Sequence, residues 1–218
     1  MSTIDDSSSA VFVETHTRHL LLVTQSLFFF ALAWCLILNH SATAENDGIS
    51  FYGVHHETVA LLIGGYAVAF VGLWRTSIHF RAADVAAQTW LCLRAIAILL
   101  FILLATPYNR GAFLNWTHMI AGVLGALFQL EVALQLVHEG RSFRTVIGLV
   151  VLLIGGLIAA ASLPDWHFEY PLQGEIVFQV GFGCRRRDFN APFERRTDQI
   201  RIWRLPNARA KTPARNLT

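Results

Sequence analysis

Asn115–His138, NWTHMIAGVLGALFQLEVALQLVH, is an apolar run long enough to cross a bilayer, which takes about 20 residues at about 1.5 Å of rise each. Polar side chains stand at its ends and inside it: His118, Gln129, Glu131, Gln135 and His138. Hydrocarbon penalises such groups, so a helix that carries them should face other helices or water. The expected place of this helix is the centre of a bundle.

Working outward, four further blocks pass the same length test: Leu20–Leu38, Thr58–Trp74, Thr89–Ala105 and Thr145–Leu163, with Trp116–Val137 as the core of the quoted run. A sixth block, Leu172–Gly183, is only 12 residues long and contains Glu175 and Gln179. The loops between blocks are short, which makes neighbouring spans antiparallel. The expectation is an all-α, up-and-down transmembrane bundle over residues 20–183, with five clear spans and a short or truncated sixth. Small residues four apart (Gly65 with Ala69, Gly122 with Ala126, Gly155 with Ala159, Gly156 with Ala160) point to close helix packing. Trp34, Trp74, Trp90, Trp116 and Trp166 fall near span ends, as an interfacial aromatic belt would.

Of the 218 residues 54% are hydrophobic and 15% charged, which excludes an ordinary soluble domain. The formal charge of +2 conceals an asymmetry. Residues 1–183 hold 7 Arg/Lys against 12 Asp/Glu, and residues 184–218 hold 10 against 3. The tail therefore reads as a basic, disordered cytoplasmic arm in contact with anionic lipid, or as a stretch where the reading frame changes near Gly183. Nothing else suggests nucleic acid. Cys35, Cys92 and Cys184 form no disulfide or CxxC pattern. Residues 1–19 are polar and acidic rather than a basic leader, so the first block is expected to be a retained span and not a signal peptide.

Orientation follows from basic residues near span ends. Arg18, Arg75, Arg81, Arg141 and Arg144 lie on one expected face and only Arg110 on the other, five against one. The N-terminus should be cytoplasmic, in a plasma (inner) membrane.

Three sets of residues could carry chemistry. On the expected outer face His55, His56, His118 and His167 come from separate loops and, if the loops converge, suit zinc or a similar divalent ion. Histidines also bracket two spans, His56 with His79 and His118 with His138. Their spacing puts each pair about 30 Å or more apart along its helix, at the edges of the apolar layer where haem ligands do not belong. Inside the layer lie Arg94 and Glu131, with Gln135 one turn beyond Glu131. Their depths match, so an ion pair is expected, since a lone charge there costs about 2.5–3.5 kcal/mol on insertion scales. The alternative has Arg94 reaching the headgroups and Glu131 protonated or bonded to Gln135. No nucleophile–base pair stands at a recognisable spacing.

DGISFYGVHHETV after the first block and NWTHMIAGVLGALFQL in the fourth resemble small six-span bacterial membrane proteins of unknown function related to the Frag/DRAM-like group. The matching positions are Asp47, Ser50, Gly53 and Glu57 in the first outer loop, and His118, Ala121 and Gly122 opening the later span. The group's usual loop proline is missing and the last span is truncated. The resemblance implies a six-helix fold and no established activity, so whether a reaction is catalysed, and with what cofactor, stays open. The expected role is that of a non-enzymatic integral membrane protein, alone, as an oligomer or with a partner subunit. The alternative is a metal- or proton-handling protein or enzyme that uses the outer histidines and Glu131.

Overall fold

The computed structural model describes residues 5–82, 86–108, 110–140, 143–162 and 170–183. The basic tail and His167 lie outside the described residues. In chain order the elements are α1 (Asp5–Leu38), α2 (Ala42–Asp47), a 3-10 helix (Gly48–Gly53), α3 (Val59–Ala82), α4 (Ala87–Ala105), α5 (Ala112–Gly140), α6 (Phe143–Ala161) and α7 (Pro171–Gly183). Among the described residues there is no strand. Breaks fall where local chemistry puts them. Thr106 stops α4 because Pro107 disfavours helical geometry in the residue before it. Pro171 opens α7, where a missing N–H costs nothing. Ser41 caps α2, its Oγ accepting the Ala44 N–H at 3.2 Å.

Four stretches are long and apolar enough to cross a bilayer: His19–Leu38, Val59–Ala82, Ala87–Ala105 and Ala112–His138. The apolar part of α6, Thr145–Ala161, is shorter. The 13 residues of α7 extend about 20 Å, against about 30 Å for a hydrocarbon core. Helix α1 is continuous from Asp5, so it includes much of the polar segment that precedes the first apolar block. Between 28% and 33% of the most apolar window of each long helix is buried in the bundle. The rest displays large apolar side chains such as Phe30, Phe113, Trp116, Val123 and Leu127. Water does not tolerate apolar surface on that scale, and hydrocarbon does.

Packing follows chain order. Helix α3 lies against α1 and α4, α4 against α5, and α6 against α7, while α5 and α6 touch more lightly. The α6–α7 approach is the tightest. A Cβ added at Gly155 would meet the backbone of Phe178, one at Gly174 the backbone of Ala159, and one at Gly181 the backbone of Leu152. These three contacts step down two antiparallel helices in register, so the pair is held by backbone-to-backbone dispersion. Gly65 also meets expectation, packing on Ala31 and Phe28 of α1. Gly122 does not, because a side chain there would meet no atom within 4 Å.

The expected central position of the quoted helix needs correction. One stripe of α5 (Ala121, Gln129, Val132, Leu136) is buried, and the opposite side (Ile120, Val123, Leu127, Leu134) is exposed. The helix is part of the wall. His118, Glu131 and Gln135 meet α4 or the residue that ends it, and Gln129 is buried mid-helix, which leaves the outward turns free to be apolar.

Candidate functional site

The link between α1 and α3 folds into a cap made of α2 and the 3-10 helix. Gly48 joins the two at φ +70 and ψ −160, a region that only glycine occupies readily. The turn presents the Ile49 N–H to Glu175 of α7, whose Oε2 accepts it at 2.6 Å. A Cβ at Gly48 would stand 2.6 Å from the same oxygen, so the glycine also makes room for the carboxylate. Beneath the cap, Thr58 Oγ1 donates to the Tyr52 carbonyl at 2.9 Å, and Cys35 Sγ approaches the Thr58 carbonyl at 3.7 Å. Tyr52 and Cys35 are fully buried. The Tyr52 hydroxyl has no hydrogen-bond partner among the described residues, and burial pushes its phenol up to about 12, with smaller contributions from Cys35 and Glu45.

His118, at the start of α5, fastens the other side of the cap. Its Nδ1 lies 2.6 Å from the Thr106 carbonyl at the end of α4, and its Nε2 lies 2.8 Å from Ser50 Oγ in the 3-10 helix. A carbonyl only accepts, so Nδ1 carries the hydrogen. In the neutral ring Nε2 is then the acceptor for the Ser50 hydroxyl. The Tyr108 ring stands 6.0 Å away. Two residues 68 apart in sequence thus make a hydroxyl–imidazole pair that no local spacing announces.

The outer-histidine metal site is not assembled from its described members. Among the described residues no group of three or more His, Cys, Asp or Glu side chains could hold a metal ion. His55 is turned inward, its ring stacked on Phe51 at 3.7 Å and its Nδ1 at 2.8 Å from the Phe51 carbonyl. His56 is exposed beside Glu57 at 3.8 Å. His118 has both nitrogens engaged, as described.

At the far end of the bundle the expected Arg94–Glu131 ion pair does not form. Among the described residues the basic–acidic side-chain pairs within 4 Å are His40–Glu45 and His56–Glu57. Arg94 instead lies over two indole rings, 5.3 Å from Trp74 and 5.1 Å from Trp90, and its Nε donates to Ser77 Oγ at 3.1 Å. Glu131 Oε1 accepts from the side-chain amides of Gln88 and, at 2.8 Å, Gln135. Gln135 Oε1 in turn accepts from Thr89 Oγ1 at 2.9 Å. Position along and around α4 decides this. Gln88 and Arg94 are six residues apart, about 120° around α4, so one faces α5 and the other faces α3. Gln88 also lies about 9 Å nearer the start of α4 than Arg94, so Glu131 meets the first-turn amide and not the guanidinium.

Glu131, Gln88 and Gln135 line a cleft of about 340 Å³ with Ala86, Leu134 and His138. Sequence reasoning named Glu131 and Gln135 as intramembrane polar residues, and the structure joins them. It missed the role of Glu175 as an anchor, the Ser50–His118 contact and the indole pair around Arg94. The signals were a lone acid in the last apolar block and Trp90 one turn before Arg94. No family model, curated protein or solved structure matches this chain.

Proposed function

We propose that the chain is a multi-pass protein of the plasma (inner) membrane, with a cytoplasmic N-terminus and a non-enzymatic role in which the rigid outer cap is the working surface. The observation that carries this reading is the use of its reactive groups as fasteners. His118 engages Thr106 and Ser50 with its two ring nitrogens, and Glu175 takes the Ile49 N–H. The basic bias of Arg18, Arg75, Arg81, Arg141 and Arg144 puts the cap outside. Helix α6 completes a fifth crossing, and α7 enters from the outer side as a sixth. The bilayer is the main partner, and the basic residues 184–218 suit anionic headgroups on the inner leaflet.

Topology is tested in intact cells with a membrane-impermeant thiol reagent on a variant lacking Cys184. Thr43→Cys in the cap should label, and Ala82→Cys at the end of α3 should not. The reverse pattern overturns the orientation.

One observation favours a second reading, a membrane-embedded hydrolase. Ser50, His118 and the Thr106 carbonyl stand in the order of hydroxyl nucleophile, general base and orienting acceptor. A fluorophosphonate probe separates the two. The non-enzymatic reading expects no adduct on Ser50 of the folded protein. A stoichiometric adduct, lost in His118→Ala, would replace that reading with the hydrolase.

A further inference from the structure

The far-end cleft has chemistry that the cap does not use. Its lining brings one carboxylate, Glu131, together with two side-chain amides and one imidazole. Both amide donors, from Gln88 and Gln135, fall on the same oxygen, Oε1. That leaves Oε2 without a donor among the described residues. Gln88 donates through its nitrogen, so its amide oxygen is also available to accept. His138 is exposed on the same lining and supplies a ring nitrogen. Leu134 and Ala86 add an apolar wall. Arg94, the nearest guanidinium on α4, is held over Trp74 and Trp90 and is not part of the lining.

We infer that this cleft is a binding site for a small organic ammonium ion, a primary amine with a short alkyl portion. An ammonium brings three N–H donors and a positive charge. Glu131 Oε2, the Gln88 amide oxygen and a His138 nitrogen offer three acceptors, one of them an anion. The Leu134 and Ala86 surface accepts the alkyl carbons. A divalent metal fits this set poorly, since one carboxylate falls short of the six to eight oxygens that calcium takes or the octahedron that magnesium demands. An anion would meet the Glu131 carboxyl, which has no basic side chain within 4 Å among the described residues. The volume of about 340 Å³ is at the lower end of small-molecule sites. The inference is independent of the cap and of either reading proposed for it.

Two sources share this chemistry, a free amine from the aqueous phase and the ethanolamine headgroup of a lipid. The test uses the full chain in phosphatidylcholine nanodiscs, whose headgroup nitrogen has no N–H, with n-butylammonium as the probe and calorimetric titration as the readout. Saturable binding is expected for n-butylammonium and not for 1-butanol or sodium at the same concentration. Glu131→Gln should weaken it about tenfold or more, the scale of a hydrogen bond to a charged group. Leu134→Trp fills the cleft from an exposed position without altering the carboxylate, and should abolish binding while the protein stays folded. Absence of saturable binding, or equal binding by wild type and Leu134→Trp, overturns the site. In phosphatidylethanolamine nanodiscs a drop in apparent affinity identifies the headgroup as occupant, and an unchanged affinity identifies the free amine.

Discussion

At the cap end, apart from the Ser50–His118 contact, polar side chains answer backbone groups. Glu175 takes the Ile49 N–H, His118 the Thr106 carbonyl and Thr58 the Tyr52 carbonyl. At the far end they answer one another and the faces of indoles: Glu131 with Gln88 and Gln135, Arg94 with Trp74 and Trp90. Backbone groups at a loop have fixed positions, so the first kind of contact closes a surface. Long side chains that meet at their tips leave room between their stems, so the second kind keeps a cleft. Burial of similar residue types therefore gives a lid at one end and a recess at the other.

The sharpest way to break this contrast is Gly48→Val. It forces a β-branched residue into a glycine-only conformation and drives its side chain into Glu175. A loss of about 3 kcal/mol or more is expected in denaturant unfolding of the detergent-solubilised protein. A neutral result would mean that the cap does not rest on α7. His118→Ala comes next, at about 1–3 kcal/mol, because it orphans the Thr106 carbonyl and the Ser50 hydroxyl together. If the cap is closed by that contact, protease sensitivity between Ser41 and Thr58 should rise with it.

At the far end the effects are smaller. Arg94→Leu removes two cation–π contacts and should cost about 1–2 kcal/mol. Its loss should add to that of Glu131→Leu within about 0.5 kcal/mol, as for residues that share no partner. A coupling of several kcal/mol would show that the two charges meet after all. The slightest effect is on one phenol. Tyr52 is raised from 10.0 to about 12, so the unfolded chain releases this proton first. The stability tied to this group is intact below about pH 10 and declines as pH rises from there towards 12. In an ultraviolet phenolate titration Tyr52→Phe should remove one late-titrating ring. Loss of an early one would place Tyr52 in solvent.

The sequence located the helices better than their ends. Thr89–Ala105 became Ala87–Ala105, but Leu20–Leu38 grew into Asp5–Leu38 and Thr58–Trp74 into Val59–Ala82. Apolar blocks mark contact with hydrocarbon, and a helix continues beyond it while its hydrogen bonds and neighbours hold. That Arg94 and Glu131 fall within apolar helices was legible, because it is a count along the chain. Azimuth was not, since it depends on which face each neighbour covers. The cap contacts were illegible for a different reason: Ser50 finds His118 across 68 residues and Ile49 finds Glu175 across 126. Periodicity carries no information at such separations.

That last separation also has a meaning in time. During synthesis the Ile49 turn emerges well before Glu175, and at about 5–20 residues per second the interval is roughly 6–25 s. Until then only His118 can hold the turn, through Ser50, and α7, short and carrying a carboxylate, is a poor candidate for insertion by itself. Its partner is the glycine-faced side of α6, made just before it. The order of events is then set by the chain: α6 is made, α7 docks along its backbone, and only afterwards can the earliest loop of the bundle lock shut.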